Sequence, residues 1–212
     1  ADMRRAHATW PESFAECSPS PGAAPLLTGI SICVAEDDAL LDQLPQTDEP
    51  CRTSHYEAKI ALALKIGDRL CEMLRAQGYQ AHRMSHPPKI KPTGLYKMTA
   101  RLAGIGWIGK NRLLITPDHG PRVAPTAVMT DAPLRPSIPA PERAAILSEG
   151  CGPCVRCIEA CPVRAFSYEP FGETDSLEGF AISRCAVCRG VINPTGWGVC
   201  GLCVKVCPFG QR

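Results

Sequence analysis

Nine of the chain's 13 cysteines fall between Cys151 and Cys207, and their spacing constrains the fold more than any other feature of the 212 residues. Four of them read Cys151-x-x-Cys154-x-x-Cys157-x-x-x-Cys161, with Pro162 next; five more follow at Cys185, Cys188, Cys200, Cys203 and Cys207, again with a proline, Pro208, after the last. Thiolates two residues apart on one loop can wrap one face of an iron–sulfur cube, while a cysteine a half-turn further on points away and ligates a second cube. A disulfide framework accounts poorly for an odd number of cysteines. Zinc is satisfied by four ligands, commonly two Cys-x-x-Cys pairs around a long loop, whereas here a third and fourth cysteine follow each pair at cluster spacing.

Written twice, the pattern is similar to that of the bacterial two-cluster ferredoxins. That similarity implies two [4Fe–4S] clusters, one on Cys151, Cys154, Cys157 and Cys207, the other on Cys161, Cys185, Cys200 and Cys203. Cys188 is then the spare, although spacing alone does not separate Cys185 from Cys188.

The formal charge of +2, from 23 basic and 21 acidic residues, gives no electrostatic argument for nucleic acid or an anionic membrane. No apolar run approaches the ~18 residues that span a bilayer, and no basic region followed by an apolar one opens the chain, so a soluble protein without a membrane partner is expected. Four further cysteines, Cys17, Cys33, Cys51 and Cys71, suit a reducing compartment, hence the cytoplasm.

Ahead of the cysteines lie enough residues for an ordinary hydrophobic core. Residues 1–25, with Pro11, Pro19, Pro21 and Pro25, read as an irregular arm, and Leu26–Ala35 as a buried strand. Ser54–Gln77 reads as a helix: Ser54 and Glu57 form a capping box worth about 1 kcal/mol, Gly78 supplies the left-handed stop, and Tyr56, Ile60, Ala63, Gly67, Leu70 and Leu74 share one face. Gly67 on that face admits either close helix packing or a flat ligand. Tyr79–Met84 alternates like a strand, Pro87, Pro88 and Pro92 make a loop, and Leu95–Ala103 is helical.

Gly104, Gly106 and Gly109 around Trp107 are too many glycines for an element interior, at about 1 kcal/mol each, so something must approach that backbone closely. No dinucleotide fingerprint is present, because no strand precedes the glycines at the right place. Asn111–Thr116 and Val123–Thr130 read as strands joined by a turn at Pro117–Gly120. Pro133, Pro136, Pro139 and Pro141 then form a stiff linker before a short helix, Glu142–Leu147, and the expected boundary divides a front domain, 1–140, from a cluster domain, 141–212.

Together, AGIGWIGKNRLL, GPRVAPTAVMTDAPL, CGPCVRCIEACP and CGLCVKVCPFG resemble the epoxyqueuosine reductase family and its relatives, the reductive dehalogenases, with SHYEAKI matching the family's first core helix. The resemblance runs from about Gly29 to Gly210. It implies an α+β fold: a nitroreductase-like, cobalamin-binding domain followed by a ferredoxin-like domain with two [4Fe–4S] clusters that feed electrons to the cobalt. Such clusters reach potentials of about −700 mV, low enough for that task. In the matched loop, Gly104, Gly106 and Gly109 would bring backbone amides near the corrinoid, Trp107 would pack on its apolar edge, and Lys110 would hold a carboxamide or phosphate. Tyr56, at the start of the first helix, is a further candidate for the cofactor cavity.

The position where epoxyqueuosine reductases carry an aspartic general acid falls on Ile90, between Lys89 and Lys91. A substitute donor is then required, and Tyr96 is the candidate, because a lysine beside it, Lys97, stabilises a phenolate. Those reductases also continue into a helical-repeat region that holds tRNA. The missing acid and the end of the chain at Arg212 set the expectation that nucleic acid is not the partner and that a small substrate is. The expected electron source is a ferredoxin or flavodoxin. Two other roles fit the same residues: an activator that reduces the corrinoid of a partner methyltransferase, and a plain electron carrier without cobalamin.

Overall fold

A computed structural model of the chain describes residues 28–35, 53–84, 95–168, 181, 183–185 and 200–211. The arm at 1–25, the proline loop with Ile90, Cys17, Cys51 and Cys188 lie outside them, as do the side chains of Ser54, His55, Tyr56 and Glu57.

The front region is built on an antiparallel three-stranded sheet in the order β1 (Thr28–Ala35), β5 (Val123–Thr130), β2 (Ala81–Arg83). β5 is the middle strand and every one of its residues is buried. Its neighbour β1 pairs along its whole length, Thr28 opposite Thr130 and Ala35 opposite Val123, whereas β2 reaches only Val128 to Thr130. Pro125, which has no N–H to give a ladder, therefore sits beyond the reach of β2.

Helices cover both faces of this sheet. Helix α1 (Thr53–Ala76) turns Ala63, Gly67, Cys71 and Leu74 inward, close to the stripe expected from the sequence, and packs on Val128, Ile30 and Ile32. A Cβ on Gly67 would lie 2.7 Å from Cδ of Arg83, so close packing explains that glycine. Helix α2 (Leu95–Ala103) covers the opposite face, where Ala100 meets Val123 and Cys33. Because β5 is covered twice, it reads as a continuous apolar run rather than an alternating one.

Both helices end the same way. Gly78 and Gly104 have φ of 88° and 83°, and each starts a Schellman closure: Gly78 N–H donates to Arg75 O and Tyr79 N–H to Leu74 O, while Gly104 N–H donates to Arg101 O and Ile105 N–H to Ala100 O. Gly104 is thus a helix stop.

The glycine–tryptophan stretch beyond it is a small hairpin, which the sequence reading missed. β3 (Trp107–Ile108) pairs with β4 (Leu114–Ile115), so the strand expected over Asn111–Thr116 shrinks to two residues, with residues 111–113 in the hairpin turn and Thr116 bridged to Gly120. Arg112 takes φ of 59° there, and Arg112 N–H donates to Gly109 O. The expected turn before β5 is present, closed by reciprocal bonds between Thr116 and Gly120. Helix α3 (Ala140–Glu149) is longer than the expected Glu142–Leu147, with Pro141 in its first turn, where the missing N–H costs nothing. Among the described residues no helix is long and apolar enough to cross a membrane.

Candidate metal centre

Two short helices carry the cysteines, and their backbones match. In α4 (Arg156–Glu159), Ala160 N–H donates to Arg156 O and Cys161 N–H to Ile158 O; in α5 (Leu202–Lys205), Val206 N–H donates to Leu202 O and Cys207 N–H to Val204 O. One turn thus presents Cys157 and Cys161, and its copy presents Cys203 and Cys207. The two helices pack on each other.

Packing them together brings distant thiols to one place. Cys151, Cys154, Cys157 and Cys207 line a single solvent-open hollow, with Lys110, Asn111, Ile115 and Phe209 in its walls. Burial pushes the Cys157 thiol up to about 11, and negative charge on Cys151, Cys207 and Cys154 adds to the shift. Cys207 is also raised, chiefly by burial, against a backbone hydrogen bond at Phe209 and the opposing pull of Arg122. These are the four cysteines grouped from the sequence.

The second group gathers around Cys203, whose thiol is raised first by burial and then by the fields of Cys185, Cys200, Cys157 and Cys161. Ala165 N–H donates to Cys161 Sγ at 3.3 Å. Among the described residues no three His, Cys, Asp or Glu side chains converge tightly enough for one metal ion. The cysteines of the first group instead line the wall of a hollow.

One buried group tests whether a sulfur-rich cluster fits there. Trp107, 3% exposed, packs among Ile115, Cys207, Cys151 and Phe209, with its ring edge-on to Phe209 at 5.0 Å, and no hydrogen bond is found for its Nε1. A buried donor without an acceptor costs about 1–3 kcal/mol. The four thiols in the wall of the hollow are the donor set an iron–sulfur cluster takes, so the lining fits such a group.

The residues singled out in the glycine loop serve this wall. A Cβ on Gly106 would strike Ile115 O, and one on Gly109 would lie 2.8 Å from the Ile115 side chain and 2.9 Å from Asn111 Oδ1, so what comes close to these glycines is strand β4 itself. Lys110 Nζ donates to Gly152 O at 2.9 Å and to Cys154 O at 3.2 Å, tying the loop to the first cysteine motif. Tyr96 is half-buried on α2 beside Lys97, whose Nζ lies 5.9 Å from the Tyr96 ring centroid and donates to Arg112 O. The structure does not bring Tyr96 into the wall of the hollow; of Tyr56 only the backbone, in the first turn of α1, is described.

Sequence reasoning missed three contributors. Asn111 reaches Cys203 O at 3.4 Å, Arg122 donates to Phe209 O at 3.2 Å and Lys205 O at 3.4 Å, and Gly120 crosses Gly210 backbone to backbone, at φ of 53° and 70°. Long-range contacts of single polar side chains carry no spacing signature. The glycines offered one, since each stands where a left-handed turn is needed.

No protein-family model matches the chain. The epoxyqueuosine reductase of Synechocystis sp. is 37% identical over 123 residues, which cover 55% of this chain and 39% of that protein. The tetrachloroethene reductive dehalogenase of Sulfurospirillum multivorans is 32% identical over 150 residues, 66% of this chain and 27% of its own length. The chain thus spans less than two fifths of the length of these curated relatives. Among solved structures, a catabolic reductive dehalogenase superposes with a TM-score of 0.68 at 20% identity, covering 89% of this chain and 27% of that one. An epoxyqueuosine reductase solved with a modified tRNA stem loop superposes with a TM-score of 0.55 at 19% identity, covering 97% and 57%. The chain is therefore a homologue, over about half its length, of the epoxyqueuosine reductases, and it shares its mixed helix-and-strand fold with them and with the reductive dehalogenases.

Proposed function

We propose that the chain is the electron-relaying and corrinoid-binding part of a cobalamin-dependent reductase, with a nitroreductase-like front domain, 1–140, and a ferredoxin-like domain, 141–212, carrying two [4Fe–4S] clusters. The observation that carries this reading is the hollow lined by Cys151, Cys154, Cys157 and Cys207, four thiols brought from segments more than forty residues apart. The grouping of Cys161, Cys185 and Cys200 around Cys203 supports a second site.

In this reading the eight thiolates hold the clusters, and Trp107 and Phe209 keep water from one side of the first. Lys110 holds the Cys151–Cys154 loop against the front region. Cobalamin, when bound, supplies the low-potential cobalt chemistry, and the protein supplies binding and access. Gly104, Gly106, Trp107, Gly109, Lys110 and Tyr56 stay the proposed corrinoid-side residues. Tyr96 is the proposed proton donor to substrate, and Y96F should abolish turnover while leaving metal content unchanged. A ferredoxin or flavodoxin in the cytoplasm is the proposed electron source.

Anaerobic reconstitution tests the reading directly. About eight irons with matching sulfide are expected, and stoichiometric cobalt when cobalamin is supplied; zinc in place of iron would refute it. A second reading has its own support. Gly106 and Gly109 are closed by β4, and this favours a plain electron carrier, which would bind iron but no cobalt. For the substrate, turnover with an organohalide and with an epoxyqueuosine-modified stem loop, the classes named for the relatives, decides between a small molecule and nucleic acid.

A further inference from the structure

Arg122 is 2% exposed, a deep position for a guanidinium, at the entrance to β5. Its Nη1 donates to Phe209 O at 3.2 Å and its Nη2 to Lys205 O at 3.4 Å. Those acceptors lie two residues after and two residues before Cys207, so the fork straddles that cysteine. Arginine stays protonated under all ordinary conditions, and a charge removed from water acts through a weaker dielectric than one at the surface. That geometry sets a buried positive charge beside the backbone that carries Cys207.

We propose that Arg122 sets the reduction potential of the cluster held by Cys151, Cys154, Cys157 and Cys207, raising it. This rests on the iron–sulfur reading above. The step is a one-electron reduction by an external low-potential carrier: the carrier is oxidised, the cluster is reduced, and no bond or proton is exchanged. Four thiolates make the cluster anionic before the electron arrives and more so afterwards. A fixed positive charge beside one ligand therefore stabilises the reduced form more than the oxidised form. Charge near a cluster is among the terms that spread such potentials over a wide range. Arg122 touches no reacting atom of substrate, so it is a positioning and tuning residue, acting through Cys207.

The experiment is a redox titration of the anaerobically reconstituted full chain, followed by electron paramagnetic resonance, with iron and sulfide measured on the same samples. Two variants are compared with wild type: R122Q removes the charge and keeps donors, and R122K keeps the charge and loses the fork. A C200A chain, lacking a ligand of the other site, assigns the transitions. The expected result is that one transition moves to lower potential in R122Q by a tenfold change in the reduced-to-oxidised ratio, about 59 mV for one electron, while the other stays. R122K is expected to hold most of the wild-type value despite a lower melting temperature. An iron-replete R122Q with an unmoved potential overturns the inference. So does an R122K potential that falls as far as that of R122Q, which would make the hydrogen bonds and not the charge the cause, and so does an R122Q chain that loses this cluster while R122K loses it equally. A wild-type chain that takes up no iron overturns the proposed function itself, a result distinct from these.

Discussion

The turn that carries Cys157 into Cys161 and the turn that carries Cys203 into Cys207 close with equivalent hydrogen bonds, yet the two groups of thiols they serve are held by different means. Around Cys151, Cys154, Cys157 and Cys207 the restraint comes from side chains of the front region: Lys110 on Gly152 and Cys154, Arg122 on Lys205 and Phe209, and Trp107 and Ile115 packed on Cys207. Around Cys161, Cys185, Cys200 and Cys203 the described residues add hydrogen bonds within the tail itself. Ala181 N–H donates to Ala165 O, Cys185 N–H to Ala181 O, and Ala165 N–H to Cys161 Sγ, while the front region adds Asn111 on Cys203 O and Leu113 packed with Cys203 on Val204. Equivalently bonded turns thus stand in two different environments: the first group is held by charged and aromatic side chains from ahead of the boundary expected near residue 140, and among the described residues the second also has backbone bonds from behind it.

Cutting one group should show how separable they are. C207A is expected to lose about four of eight irons, and C203A the other four; loss of all iron from C207A, by iron and sulfide analysis, would make the two groups a single unit. Next in size is the backbone crossing. A Cβ on Gly210 would collide with His119 and Gly120 at a left-handed φ of 70°, so G210A should destabilise the chain by about 2–4 kcal/mol and loosen the first group more than the second. Thermal unfolding together with chelator-driven iron release measures both effects.

K110M sharpens the comparison further. Losing two hydrogen bonds from an ammonium should cost about 1–3 kcal/mol and speed iron loss from the first group alone; equal acceleration at both would dissolve the contrast. The smallest effect belongs to a cysteine outside either group. Burial pushes the Cys33 thiol up to about 11 from 9.0, so at pH 8 its thiolate population falls about a hundredfold and alkylation should be slower by a similar factor. Mass-spectrometric mapping after timed labelling measures it, and a rate equal to that of a free thiol would contradict the burial of Cys33 against α2.

Much of the fold was legible because it obeys short-range rules. The inward stripe of α1, its glycine stop, the extent of α2 and the buried run of β5 follow from periodicity and capping, which act within a few residues. The glycine–tryptophan loop was legible as a place of close approach. What approaches it was not, because Ile115 reaches Gly106 only once β3 and β4 have paired.

The same division holds at the candidate site. By itself the sequence determined where the cysteine turns fall, since spacing on one turn is a local property of the backbone, and it left Cys185 and Cys188 unseparated. The tertiary structure decided what surrounds them: that Lys110 and Arg122 close on the first group, that Trp107 loses its partner beside it, and that Gly120 and Gly210 must cross. Those contacts join residues far apart in the chain, and only the packing of the tail on the front sheet brings them within reach.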